Sequence, residues 1–220
     1  MSIKSYINGV TTELENLFAD ISSAIDARED SRAFGAMIER RITDHWKDIC
    51  NRTKSNYVSH PGRRAIYDFA SLYNNSFYGF DVKTKDLDSN RYSDGGVCSV
   101  ANLLKFLVNE KAIFVVAEFG HRKVPHDTPL RKLDYIKLAP FHLLPADIYR
   151  IENLGTGQVR LNNGINSVFD KIEWNRPINK FFDIFVELAI KDYKTVGRRA
   201  KQRADNMRRF RDAGYSNFQA

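Results

Sequence analysis

One short stretch, Ser76 to Asp86 (SFYGFDVKTKD), constrains this chain more than any other. Phe77 to Val82 is a run of aromatic and β-branched residues with Asn74-Asn75 before it and polar sequence after it, the pattern of a short, mostly buried strand. Side chains alternate along a strand, so Asp81 and Lys83 share one face while Tyr78, Phe80 and Val82 point the other way, into a core. A buried carboxylate and ammonium are costly unless they pair, bind a metal or open onto a cleft. Asp68 lies upstream in AIYDFASLY, itself a strand candidate. A hairpin joining the two strands would set Asp68 beside Asp81.

Two carboxylates and a lysine brought together in this way suit phosphodiester hydrolysis. That reaction needs a hard divalent cation, held by carboxylates, to neutralise the phosphate and generate hydroxide from water. Asp68 and Asp81 are the candidate metal ligands, and the backbone carbonyl of Val82 offers a third oxygen. Lys83 would act on the attacking water and on the developing negative charge. The tripeptide alone is weak, since an acid two residues before a lysine should arise about twice by composition. Asp192-Tyr193-Lys194 is a second instance, in a basic helix-like segment. The competing reading of Asp81 and Lys83 is a structural ion pair.

Composition narrows the setting. A chain of 220 residues with 43% hydrophobic content can bury one core, which predicts a single domain: N-terminal helices over 1–52, a core with its reading loops over 54–170, and a basic helical segment over 175–212. The net charge of +7 favours a polyanionic partner, nucleic acid first and an anionic membrane surface second. No apolar run is long enough to span a bilayer, and MSIKSYINGV has no signal-peptide core, so the expectation is a cytoplasmic protein. Cys50 and Cys98 are too few for a disulfide framework or zinc site, and the five histidines form no metal-binding spacing.

Helical periodicity is read over Ile3 to Ile25 and again from about Ser31 to Arg52, where Phe34, Met37, Ile38, Ile42, Trp46 and Ile49 make the apolar side. Lys54 to Arg64 is a polar Pro-Gly loop placed to hold a phosphate chain through Arg63 and Arg64. Lys85, Asn90 and Arg91, after the charged strand, are candidate contacts of the same kind. Val97 to Asn109 reads as a helix capped by Ser93 or Asp94. Ala112 to Phe119, the most continuous apolar run, reads as a central strand. Strand, crossover helix, strand is a parallel connection. Asp134 to Leu138 is a further strand candidate.

The stretch from Asp68 through Phe119, with FDVKTKDLDSN, the Gly95-Gly96 turn, SVANLLKFL and AIFVVAEF, resembles type II restriction endonucleases of the PD-(D/E)xK superfamily. It is most similar to the blunt-cutting EcoRV- and SwaI-like group. Tyr67 stands where the motif usually has proline. The resemblance implies an α/β fold with a restriction-endonuclease-like core, a central mixed sheet flanked by helices. It implies Mg²⁺, with Mn²⁺ substituting, and hydrolysis of double-stranded DNA at a short palindrome to leave 5′-phosphates. A homodimer and a cognate methyltransferase follow from the same likeness. Glu39 becomes a candidate for the helical glutamate near the metal; the alternative is a surface carboxylate beside Arg40 and Arg41.

Amides read adenine edges and arginine reads guanine. In the glycine- and amide-rich segment Asn153 to Asn166, Gln158, Arg160, Asn162 and Asn163 are therefore candidates for base readout, with a plain hairpin turn as the alternative. From Ile178 to about Phe210 a helical pattern, with Phe181, Phe182, Ile184, Phe185, Leu188, Ala189 and Ile190 covering the sheet, turns densely basic. Phosphate contact and a solvated helix end both fit that charge. Two other functions stay open: a structure-selective nuclease of the junction-resolvase type, and a non-catalytic DNA-binding protein.

Overall fold

Asn74 and Asn75 both adopt left-handed backbone, with φ of 48° and 61°, which asparagine tolerates better than other residues with a side chain and which a two-residue hairpin demands. They join β3 (Phe69–Tyr73) to β4 (Ser76–Asp86) in register Phe69↔Phe80 through Tyr73↔Ser76. The computed structural model that shows this hairpin describes residues 2–19, 25–26, 31–59, 65–89, 96–109, 112–124, 130–152 and 157–218. Around it the chain runs α1 (Ile3–Ala19), β1 (Ile25–Asp26), α2 (Ser31–Arg52), β2 (Asn56–Val58), then the hairpin, β5 (Gly96–Ser99), α3 (Val100–Asn109), β6 (Ile113–Lys123), β7 (Leu130–Pro140), β8 (Tyr149–Glu152), β9 (Gln158–Leu161) and α4 (Ile178–Phe218).

The central sheet is mixed, in the order β1-β7-β6-β4-β3-β2, and β5-β9-β8 form a second, three-stranded sheet. β4 and β6 are parallel, joined through α3; the other pairs of the central sheet are antiparallel. This is the mixed α/β architecture that the alternation of strands and helices predicts. β6 is covered on both faces: Val115, Ala117 and Phe119 join α1 and α2, while Phe114 and Val116 join α3, the second sheet and α4. A strand buried on both sides has no polar face, which is why it reads as an unbroken apolar run.

β4 obeys the alternation. Tyr78, Phe80 and Val82 enter the core under α1 and α2, and the odd-numbered residues face the other layer. A Cβ on Gly79 would lie 2.8 Å from Phe106 and 2.9 Å from Tyr67, so the bare backbone there is a seat for two rings. At the far end of the strand Asp86 pairs with Arg131 at 2.8 Å, and Arg131 reaches Nδ1 of His121 at 2.9 Å. Burial and the Arg131 charge push His121 down to about 4.

Several boundaries depart from the sequence reading. The first helix ends at Ala19, and Ile25 instead pairs with Arg131 in the sheet. Val97 is in a strand, because Gly96 and Ser99 pair with Arg160 and Gln158 of β9. The helix therefore starts at Val100, and Ser99 caps it by accepting the Asn102 N–H at 3.2 Å; Ser93 and Asp94 lie outside the described residues. β7 is longer than the Asp134 to Leu138 expected. α4 packs on β8 and the turn at Phe141, and its Phe181 and Phe185 share a core cluster with Phe114 and Val116 of β6. It buries Phe181, Phe185 and Ala189 and leaves Ile184 and Ile190 at 39% and 37% exposure.

Gly79→Ala should lower unfolding stability by about 1–3 kcal/mol through overpacking. Gly197→Ala, in an exposed helical turn where a Cβ meets nothing within 4 Å, should raise it by up to about 1 kcal/mol. Urea unfolding of the two variants checks both signs.

Candidate active site

The site forms where β3 has not yet begun and β4 runs on past it. Asp68 sits just before β3, its N–H donating to the Phe80 carbonyl at 2.8 Å. Its Oδ2 accepts the Val82 N–H at 2.6 Å, so this carboxylate occupies the place where a paired strand would continue. N–H and C=O of one strand residue point to the same edge, which turns the Val82 carbonyl toward this side too. Tyr67, in the motif's proline position, anchors the approach: its ring stacks edgewise with Phe77 and Phe106, at 5.5 and 5.6 Å, over Gly79.

Asp81 is 6% exposed. Its Oδ1 accepts from Lys83 Nζ at 2.8 Å, and its Oδ2 is buried with no hydrogen-bond partner. Burial pushes this carboxyl up to about 7; Lys83 opposes the rise, while the Asp68 and Glu39 carboxylates add to it. Glu39, on α2, is pushed upward by partial burial and then by Asp68, with Lys83 again opposing. Asp68, Asp81, Glu39 and Lys83 therefore feel one another's charge at one end of the hairpin. Cys98 of β5 lies beside them, its thiol pushed up to about 12 by burial and by Asp81. At that value it is a neutral thiol near pH 7.

Sequence reasoning missed Glu118. The parallel register sets it opposite Lys83, on the face of the sheet shared with Val116. At 3% exposure it accepts the Tyr135 hydroxyl at 2.7 Å and the Ile165 and Asn166 N–H groups at 2.9 and 3.2 Å. Gly164 lies so close to it, at φ 74°, that no side chain would fit. A lone acid inside the most apolar strand was the available signal; its partners, 17 residues away at Tyr135 and 47 and 48 away at Ile165 and Asn166, were not legible.

Glu118 thereby fixes the turn that carries the amide-rich segment. Lys85 donates to the Asn163 carbonyl, so two of the candidate DNA contacts meet each other directly. Asn162 is held by its N–H on Ile148 and its side-chain amide on Asp147. Gln158 lies over Gly96, and Arg160 pairs with Glu152 at 2.8 Å and contacts Gln158. From Gln158 onward the segment is thus a strand and turn of the second sheet rather than a free loop; residues 153–156 lie outside the described residues. Arg63, Arg64, Asn90 and Arg91 lie outside the described residues.

Among the described residues no three His, Cys, Asp or Glu side chains form a metal-holding group. The donors at hand are two carboxylates and a carbonyl, all hard oxygens, one of them buried and unmatched. That set suits a small divalent cation that keeps several waters or takes phosphate oxygens. No protein-family model and no curated protein matches this chain.

Two expectations follow. The folded protein holds the Asp81 proton more tightly than the unfolded chain, so this contribution to stability is complete below the ordinary carboxylate pKa near 3.8 and is lost as pH rises through about 7. His121 and His142, both pushed down to about 4, act in the opposite sense, losing stability as pH falls from 6.5. The Asp81 share is therefore the difference between the wild type and Asp81→Asn: in chelator, the wild type should lose ground steadily from pH 4 to 8, and parallel urea curves would refute this. Glu118→Ala should cost about 3 kcal/mol, because it strands two backbone donors and a hydroxyl. Hydrogen exchange at Ile165 and Asn166 should speed up in that variant.

Proposed function

We propose that this protein is a Mg²⁺-dependent endonuclease with a restriction-endonuclease-like core that cuts double-stranded DNA. The observation that carries the reading is Asp81: a carboxylate oxygen sealed from water, without a hydrogen-bond donor, beside a second carboxylate and an ammonium. A purely structural ion pair satisfies its buried oxygens, and leaving one bare costs about 1–3 kcal/mol or more. A cation supplied with substrate would meet that need.

In this reading Asp68, Asp81 and the Val82 carbonyl hold the metal, which supplies an activated water and neutralises charge on the phosphate. Lys83, anchored by Asp81, stabilises the charge that builds on the phosphate oxygens and orients the attacking water. Glu39 stands close enough to share the field of the site and serves as a further acid or as a ligand through water. The 3′-oxygen leaves, giving a 5′-phosphate. The turn held by Glu118 and Lys85 presents Asn162 and Asn163 beside the cutting strand, and Gln158 and Arg160 extend that surface. The resemblance to type II restriction enzymes adds a short palindromic site, a homodimer with one active site per strand, and a cytoplasmic role beside a protecting methyltransferase.

Purified protein with Mg²⁺ or Mn²⁺ should convert a sequenced plasmid into discrete fragments with 5′-phosphate ends, and chelator should stop it. Asp81→Ala and Lys83→Ala should each reduce cleavage at least a thousandfold, on the order expected for loss of a metal ligand or charge stabiliser, while the circular dichroism spectrum is kept. Cutting of branched substrates alone would point to a junction-selective enzyme. Full activity in either variant would sink the assignment of the site, and a duplex left whole by the wild type with Mg²⁺ or Mn²⁺ present would sink the nuclease.

A further inference from the structure

α4 is seated for only part of its length. Phe181, Phe185 and Ala189 are in the core, and Tyr193 still lies over Gly157 at the start of β9. From Gly197 to Arg209 every residue except Asp205 is exposed, although the helix continues to Phe218. At 1.5 Å per residue the projecting part is about 33 Å long.

Its charge is concentrated. From Lys191 to Phe218 the chain has nine Lys and Arg against three Asp, which accounts for six of the seven positive charges that the whole protein carries in excess. The rest of the molecule is close to neutral. The cations are also ordered on the helix. Lys191, Lys194, Arg198, Lys201 and Arg208 follow a three-and-four spacing with Asp205 in the remaining place, so they form one stripe. Tyr193, Val196, Ala200, Ala204 and Met207 repeat in the same way on the opposite side. Among the described residues the stripe has one ion pair, Arg208 with Asp205. A recess of about 520 Å³ runs along it, lined by Glu187, Ile190, Lys191, Lys194, Gly197 and Arg198.

A solvated helix stabilises its cations with acids one turn away; Glu187, Asp205 and Asp212 stand so to Lys191, Lys201 and Arg208, but Lys194 and Arg198 have none, and cations outnumber acids three to one from Lys191 to Phe218. We infer that the stripe is a docking surface for the phosphate backbone of duplex DNA outside the cleaved site, an arm that supplies most of the electrostatic affinity and no sequence information. From Lys191 to Arg209 it spans about 27 Å, enough to meet phosphates on both sides of a groove about 12 Å wide. The near-neutral body then reads bases without competing for them by charge alone. The inference rests on duplex DNA as the polymer in the proposed function, but not on hydrolysis.

The test measures binding of a fluorescent 30-base-pair duplex to the full protein in chelator, across a salt series. Replacing Lys191, Lys194, Arg198 and Lys201 with Gln should reduce the slope of log affinity against log salt by about three to four, near 0.9 per lost phosphate contact. Affinity at 0.1 M salt should fall by two to three orders of magnitude for specific and random duplexes alike. An unchanged melting temperature shows that the variant is folded, and the fourfold Lys or Arg exchange (Lys→Arg, Arg→Lys) at these positions should keep the slope. A slope equal to the wild type's, or no duplex binding by the wild type, overturns the inference. So does loss of binding to vesicles containing phosphatidylserine with DNA binding intact, which would assign the stripe to a membrane surface. Cleavage in Mg²⁺ is scored separately, so an inactive wild type with the predicted slope change would remove the nuclease and leave the arm.

Discussion

Asp81 is a charge placed where the fold can least accommodate one, on a strand whose other face is the main core. Phe80 and Val82, its neighbours in sequence, are buried under two helices, so β4 cannot shift to bring the carboxylate into water without exposing both. Lys83 satisfies one oxygen, and the geometry of the hairpin leaves the second with nothing. Register is the reason the tension persists: slipping by one residue would exchange the two faces of the strand completely. The left-handed pair at Asn74 and Asn75 holds that register, and Tyr67 on Gly79 holds the approach to Asp68. The architecture around the hairpin serves to keep an unfavourable carboxylate in place.

Much of this was legible in the residues themselves. Period-two alternation placed Asp81 and Lys83 on one face, and the Asn-Asn turn announced the hairpin that brings Asp68 alongside. The apolar run at Ala112 gave the central strand because burial on both faces leaves no other pattern. What escaped was non-local. Val97 has the helical spacing of the residues after it, and only pairing with β9, some 60 residues on, makes it a strand. Glu118 looked like one acid in an apolar run, since its partners come from β7 and from the turn after β9. Ile184 and Ile190 are apolar but lie on the side of α4 turned away from Phe181, Phe185 and Ala189, so they face water. Glu39 was named as a candidate through resemblance, and its position follows from how α2 crosses the strand ends, which periodicity does not specify.

The molecule separates its electrostatic tasks. Close to the hairpin, carboxylates outnumber the single lysine, and burial first, then their mutual repulsion, raises Asp81 and Glu39 together. Far out on α4, cations outnumber acids three to one. A polyanion approaching the body would be repelled by the first group and attracted by the second, so the order of encounter is written into the charge distribution. Glu118 and Lys85 add a link between the two sheets: the turn around Asn163 is fastened to β6 through Glu118 and to β4, the strand that carries Asp81, through Lys85.

The margins of the six-stranded sheet also bear on assembly. One margin is β1, two residues long, and the other is β2, three residues long. β2 presents few unpaired amides and carbonyls, whereas β1 covers only the first two residues of the eleven-residue β7 and leaves the rest of its outer side without a strand neighbour among the described residues. Addition of a foreign strand to this sheet is therefore hindered along β2 and not along the length of β7 beyond β1.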